Sequence, residues 1–94
     1  MRVEWDNKKD QKNRRKHGVS FSTAAEVFED PLQISILDKR FSYFEERWIT
    51  IGAAKDFTLI VVAHSVFSVE GEEIVKIISA REATSHERRQ YEHI

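Results

Sequence analysis

His64, Arg47 and Arg81 are the side chains of this chain whose types and spacing best suit chemistry. His64 interrupts the most apolar stretch, Thr58 to Val66 (TLIVVAHSV). An imidazole titrates near neutrality and can take or give a proton, and leaving it unpaired in such a strand would cost free energy. Arg81 ends the last apolar stretch, Glu73 to Ala80 (EIVKIISA), where a guanidinium suits a phosphate better than a core. Two turns decide whether these groups meet. If Lys55-Asp56 is a two-residue hairpin turn, Arg47 lies directly opposite His64. If Glu70-Gly71 is another, Ile60 faces Arg81, and His64 and Arg81 share a face about four residues apart. One extra residue in either turn reverses the relation. The structural alternatives are a buried histidine tied to a neighbour, and an Arg81 ion pair with Glu82 or Glu87.

A second chemical feature lies near the start. Asn7 to His17 (NKKDQKNRRKH) holds six Lys/Arg, one acid and no apolar side chain. The whole chain has a formal charge of −1, so this is a local positive block in a nearly neutral protein. At about 100° per residue, Lys8, Lys9, Lys12, Arg15 and Lys16 fall within an arc of about 120° on a helix. Charge concentrated on one face suits a polyanion, because each neutralised phosphate releases counterions. It also suits an acidic partner, or simple solvation. Asn13 and His17 lie on another side, where hydrogen bonds to neighbouring backbone would serve for docking. His17, in the last turn, also answers the helix dipole.

The elements that must position these groups follow from periodicity. Val3 and Trp5 alternate with Arg2 and Glu4, a short strand pattern. Asp6 caps a helix to about His17, and Gly18 stands just past its end. Ser20 caps a second helix whose stripe is Phe21, Ala24, Ala25 and Phe28, stopped at Glu29-Asp30-Pro31. Strands follow around Ile34–Leu37, Arg47–Ala53, Thr58–Val66 and Glu73–Ala80, with a charged and aromatic loop at Asp38–Glu45. Thr84-x-x-Glu87 is a capping box opening a last helix to about Glu92. Helices packed on one curved sheet, in a single α+β domain spanning residues 1–94, are the expected architecture. No cysteine is present, which excludes disulfides and thiolate chemistry and points to a reducing compartment. No apolar leader or membrane-length segment is legible, so a cytoplasmic location is expected. Metal ligands at the usual spacings are absent.

Six collinear stretches resemble the BrnT family of bacterial toxins. They are EWD at Glu4–Asp6, N-x-x-KHGVSF at Asn13–Phe21, AAEVFEDP at Ala24–Pro31, EERWITIG at Glu45–Gly52, VVAHS at Val61–Ser65, and IISAREAT at Ile77–Thr84, followed by ERRQYE. The resemblance implies a RelE-like fold: a curved antiparallel sheet, two N-terminal helices packed on one face, and a C-terminal helix. It also implies a ribonuclease toxin of a type II toxin–antitoxin pair that inhibits translation. The partner would be a DNA-binding, BrnA-like antitoxin, joined with the toxin in an oligomeric complex.

Metal-free RNA cleavage lets the 2′-hydroxyl attack the adjacent phosphate, with an acid/base group and cations that hold the extra negative charge. On this reading His64 is the acid/base group and Arg47 and Arg81 are transition-state clamps. Tyr91, a further catalytic candidate, and Arg88, an RNA contact, reach an exposed sheet face from the last helix, and Lys8, Lys12, Arg15 and Lys16 contact phosphates. Trp48, Phe41, Tyr43 and Phe44 are candidates for stacking bases, the loop aromatics equally for contacting the antitoxin. No cofactor, metal or membrane is expected. The competing reading is a non-catalytic module that binds RNA or protein within an antitoxin–DNA repressor complex.

Overall fold

Local capping fixes where the helices start. In the computed structural model, which describes residues 1–40 and 45–93, Asp6 accepts from the backbone N–H groups of Lys8 (2.8 Å) and Lys9 (3.1 Å) and so opens α1, Asn7–His17. Gly18 closes it in the left-handed conformation (φ 73°) that glycine adopts without steric cost. Ser20 caps α2, Phe21–Ala25, through Thr23 N–H. The chain then tightens into a 3₁₀ turn, Glu26–Glu29, before Asp30 turns extended ahead of Pro31. Thr84 and Glu87 form the expected capping box of α3, Ser85–Glu92.

The strands are β1 (Arg2–Glu4), β2 (Ile34–Leu37), β3 (Glu46–Ala53), β4 (Leu59–Val69) and β5 (Glu72–Glu82). They form one sheet in the order β1-β5-β4-β3-β2. Four strands are antiparallel neighbours as expected; β1 joins parallel to β5, so the sheet is mixed. Phe21, Ala24 and Val27 pack on Ile60, Val62, Ile77 and Ala80, all buried, and this is the core. The 3₁₀ turn sits directly on Gly52, where a Cβ would lie 2.6 Å from Val27 Cγ1. Only glycine permits that approach.

The two hairpins differ in a way that decides the site. Glu70-Gly71 is the expected two-residue turn, with φ positive at both positions (51° and 82°) and Val69 paired with Glu72. The β3–β4 connection is longer than a two-residue turn. Ala53 pairs with Leu59, Ala54 N–H bonds to Thr58 O (2.9 Å), and Phe57 takes a left-handed φ of 69°. The pairing therefore slips by one residue from the expected register, and Trp48 lies opposite His64 in place of Arg47. A second slip lies within β5. Pairing passes from His64↔Ile77 to Ala63↔Ser79, leaving Ile78 as a bulged residue, so Arg81 lies opposite Val61 and not Ile60.

Candidate functional site

Because side chains alternate across a strand, the observed pairings sort the sheet into two faces. The helix-bearing face carries Thr50, Val62, His64, Ile77 and Ala80. The second face carries Arg47, Ile49, Val61, Ala63, Ser79 and Arg81. The expected trio of His64, Arg47 and Arg81 is thus divided: both arginines share one face and His64 points to the other. This corrects the expectation that the three converge.

On its own face His64 is 4% exposed. Its Nε2 lies 2.7 Å from Thr50 Oγ1, which is in turn 2.7 Å from Ser35 Oγ. Phe28 packs against the ring nearly perpendicular to it, with the ring centroids 4.8 Å apart. Nδ1 is buried without a hydrogen-bond partner; the adjacent Ser65 backbone favours the charged ring but lacks hydrogen-bond geometry. Burial lowers the pKa of His64 to about 4, so the ring is neutral at physiological pH. The structural alternative, a core histidine tied to a neighbour, describes it better than a proton shuttle beside phosphate.

This burial has a measurable consequence. Below the ordinary histidine range the unfolded chain binds a proton that the folded chain refuses, so stability falls as pH falls. With a folded value of about 4 against 6.5 unfolded, the loss between pH 7 and pH 5 should be about 2 kcal/mol. Urea unfolding across that range should show this slope, and His64→Leu should flatten it. An unchanged slope in the variant would assign the effect elsewhere. Glu87 and Asp30, with lowered pKa values, lose their contribution mainly below this window.

The second face holds a cavity of about 320 Å³ at its β5 end. Ile49, Val61 and Ala63 line its floor, and His17, Arg40, Arg81 and Glu87 stand around it. Arg81 donates from Nη1 to Glu87 Oε1 (2.7 Å) and from Nη2 to Glu87 Oε2 (2.8 Å), a bidentate fork. This hydrogen bonding holds Glu87 at about 2 and raises Arg81 above its ordinary value. Glu87 Oε1 also accepts from Thr84 N–H (2.9 Å), so the start of α3 and the guanidinium are fixed by one carboxylate. Arg40 is steadied by Asp38 Oδ1 at 3.2 Å. Among the described residues, no three His, Asp or Glu side chains converge as a metal site.

His17 reaches this cavity because of Asn13. The Asn13 side chain is buried and donates from Nδ2 to Val19 O and Ala80 O, both at 2.8 Å. Its Oδ1 accepts from Ala80 N–H at 3.1 Å. One amide thus pairs with both backbone groups of Ala80, as expected of an α1 residue that docks on backbone. Asp10 adds a second tie by accepting from Phe21 N–H (2.8 Å). His17 follows Asn13 by one helical turn, and Arg81 follows Ala80 by one residue. The helix is pinned where its last turn meets the end of β5.

The other expected residues are distributed differently. Lys8, Lys12, Arg15 and Lys16 are all exposed on α1, with Lys16 next to His17. Arg47 is half-buried opposite Ser65, four rows from Arg81, or about 13 Å along the sheet. Tyr91 is removed from the cavity: its hydroxyl donates to Asp30 Oδ2 at 2.6 Å, which pushes its pKa up to about 12. Arg88 is exposed on α3 beside Glu87. Trp48 lines a separate cleft of about 270 Å³ with His64, Phe28, Glu46 and Glu73. Phe41, Tyr43 and Phe44 lie outside the described residues. Arg40 and His17 are the cavity residues that sequence reasoning did not assign to a site. The signal for His17 was its i, i+4 spacing from Asn13; Arg40 sits in a loop with no periodicity to read.

The second face of this helix-backed sheet thus carries a small cavity lined by two guanidiniums, an imidazole and a carboxylate, beside a cationic helix. The chain belongs to the BrnT toxin family: the family described as "Ribonuclease toxin, BrnT, of type II toxin-antitoxin system" matches residues 5–87. The crystal structure of the Brucella abortus ribonuclease toxin BrnT is similar at a TM-score of 0.66 and 25% sequence identity, over 90% of this chain and 99% of that one. No curated protein sequence matches this chain. No helix among the described residues is long and apolar enough to cross a membrane.

Proposed function

We propose that this toxin is an endoribonuclease that cleaves RNA by metal-free transesterification at the cavity of the second face, inhibiting translation. The observation that most supports this is Arg81 at the rim of a nucleotide-sized cavity: Glu87 holds its Nη1 and Nη2 and Glu82 O accepts again from Nη1 (3.3 Å), so its Nε–H and second Nη2–H are the donors left for a phosphate. Lys8, Lys12, Arg15 and Lys16 hold flanking phosphates, and Arg88 does so from α3. Arg47 is far enough from Arg81 to act on a neighbouring phosphate, not on the scissile one. Neutralisation falls to a cytoplasmic, DNA-binding, BrnA-like antitoxin in an oligomeric complex, with an acidic or pre-folded segment complementary to the same cations.

The test is incubation of purified toxin, freed of antitoxin, with RNA in EDTA. Cleavage to 2′,3′-cyclic phosphate ends supports the proposal; RNA binding without any cleavage supports a binding module. A falling logarithmic affinity with rising salt is expected from the phosphate contacts. Affinity flat with ionic strength would reduce α1 to a solvated surface.

A further inference from the structure

We propose that His17 is the catalytic acid/base group of this site, taking the proton from the attacking 2′-hydroxyl. The inference rests on the ribonuclease reading above and names a residue within it. Four observations support it. His17 lines the cavity that Arg81 and Arg40 rim, so the imidazole and the phosphate-binding groups open onto one space. The Asn13–Ala80 hydrogen bonds fix the turn of α1 that carries it. The ring is exposed, leaving it accessible to a substrate. The other candidates are committed elsewhere: His64 lies on the opposite face, Tyr91 hydrogen-bonds Asp30, and Glu87, held at about 2, accepts protons poorly at neutral pH.

In the step itself, the 2′-oxygen gives its proton to the imidazole and bonds to phosphorus. The bond from phosphorus to the 5′-oxygen breaks, and that oxygen takes a proton from the imidazolium or from water. The products are a 2′,3′-cyclic phosphate and a 5′-hydroxyl, with no oxidant, reductant or metal consumed. The charged groups that line the cavity with His17 are Arg81 from β5, Glu87 from α3 and Arg40 from the segment after β2.

The experiment compares wild type, His17→Gln and His86→Gln on a fluorogenic RNA oligonucleotide in EDTA from pH 5 to 9. His86 is exposed on α3 and does not line the cavity. His17→Gln should lower the cleavage rate by about 10²–10⁴-fold, abolish the acid limb of the pH profile, leave RNA affinity within about threefold, and recover in part with added imidazole. His86→Gln should match wild type. Urea unfolding confirms that the variant is folded. If wild type cleaves and His17→Gln cleaves equally with the same pH profile, the assignment of His17 is wrong and the ribonuclease reading stands. If wild type does not cleave at all, both fall.

Discussion

Arg81→Ala is expected to lower RNA cleavage by about 10²–10³-fold, the usual cost of removing one pre-organised donor from a developing negative charge. The guanidinium needs no reorganisation, because Glu87 already holds both of its terminal nitrogens, at 2.7 and 2.8 Å. Arg81→Lys retains the charge but loses the planar fork, and should recover no more than about a tenth of the rate. The loss should appear in the chemical step, as a fall in kcat, since the exposed cations of α1 continue to hold the RNA. A steady-state assay in EDTA measures it. Equal kcat for Arg81→Ala and wild type would remove Arg81 from the reaction and leave it as an anchor for α3.

Asn13→Ala should strongly destabilise the fold although no apolar side chain is lost. It deletes three buried hydrogen bonds and strands Val19 O, Ala80 O and Ala80 N–H where water reaches poorly. At about 1 kcal/mol or more for each stranded group, the loss is about 3 kcal/mol. A domain of this length has about 5–14 kcal/mol in total, and the melting temperature should fall by about 15 °C. Asn13→Asp should be no better, because a carboxylate has acceptors only and would face two carbonyl oxygens. Thermal denaturation followed by circular dichroism distinguishes the outcomes. A shift of less than about 3 °C for Asn13→Ala would show that α1 is docked by other contacts.

These two residues illustrate what the sequence makes legible. Helix boundaries could be read because their signals are local: Asp6, Gly18, Ser20 and the Thr84–Glu87 pair each act within four residues. The Glu70-Gly71 turn was legible for the same reason. The face to which each strand residue points was not. It depends on Phe57 adopting a left-handed conformation and on Ile78 bulging, and neither residue type announces such a role. His64 was singled out because it interrupts an apolar strand, but that pattern marks a buried imidazole as readily as a reactive one. Family resemblance supplied the activity and the fold. It could not say that His64 lies buried against Phe28 on the helix-bearing face while His17 lines the cavity of the other.

The bulge at Ile78 has one more consequence. The strand behaves as two segments of opposite parity joined at that residue: Ile77 before it and Ala80 after it both face the helices, although an odd number of steps separates them. Were the strand to run straight with every residue retained, Arg81 would pair with Ile60 and turn inward toward the core while Ala80 turned out to the cavity; deleting one residue at the bulge would instead leave both facing as they do. In this strand the bulge, an irregularity of backbone and not of side-chain type, governs which side carries charge.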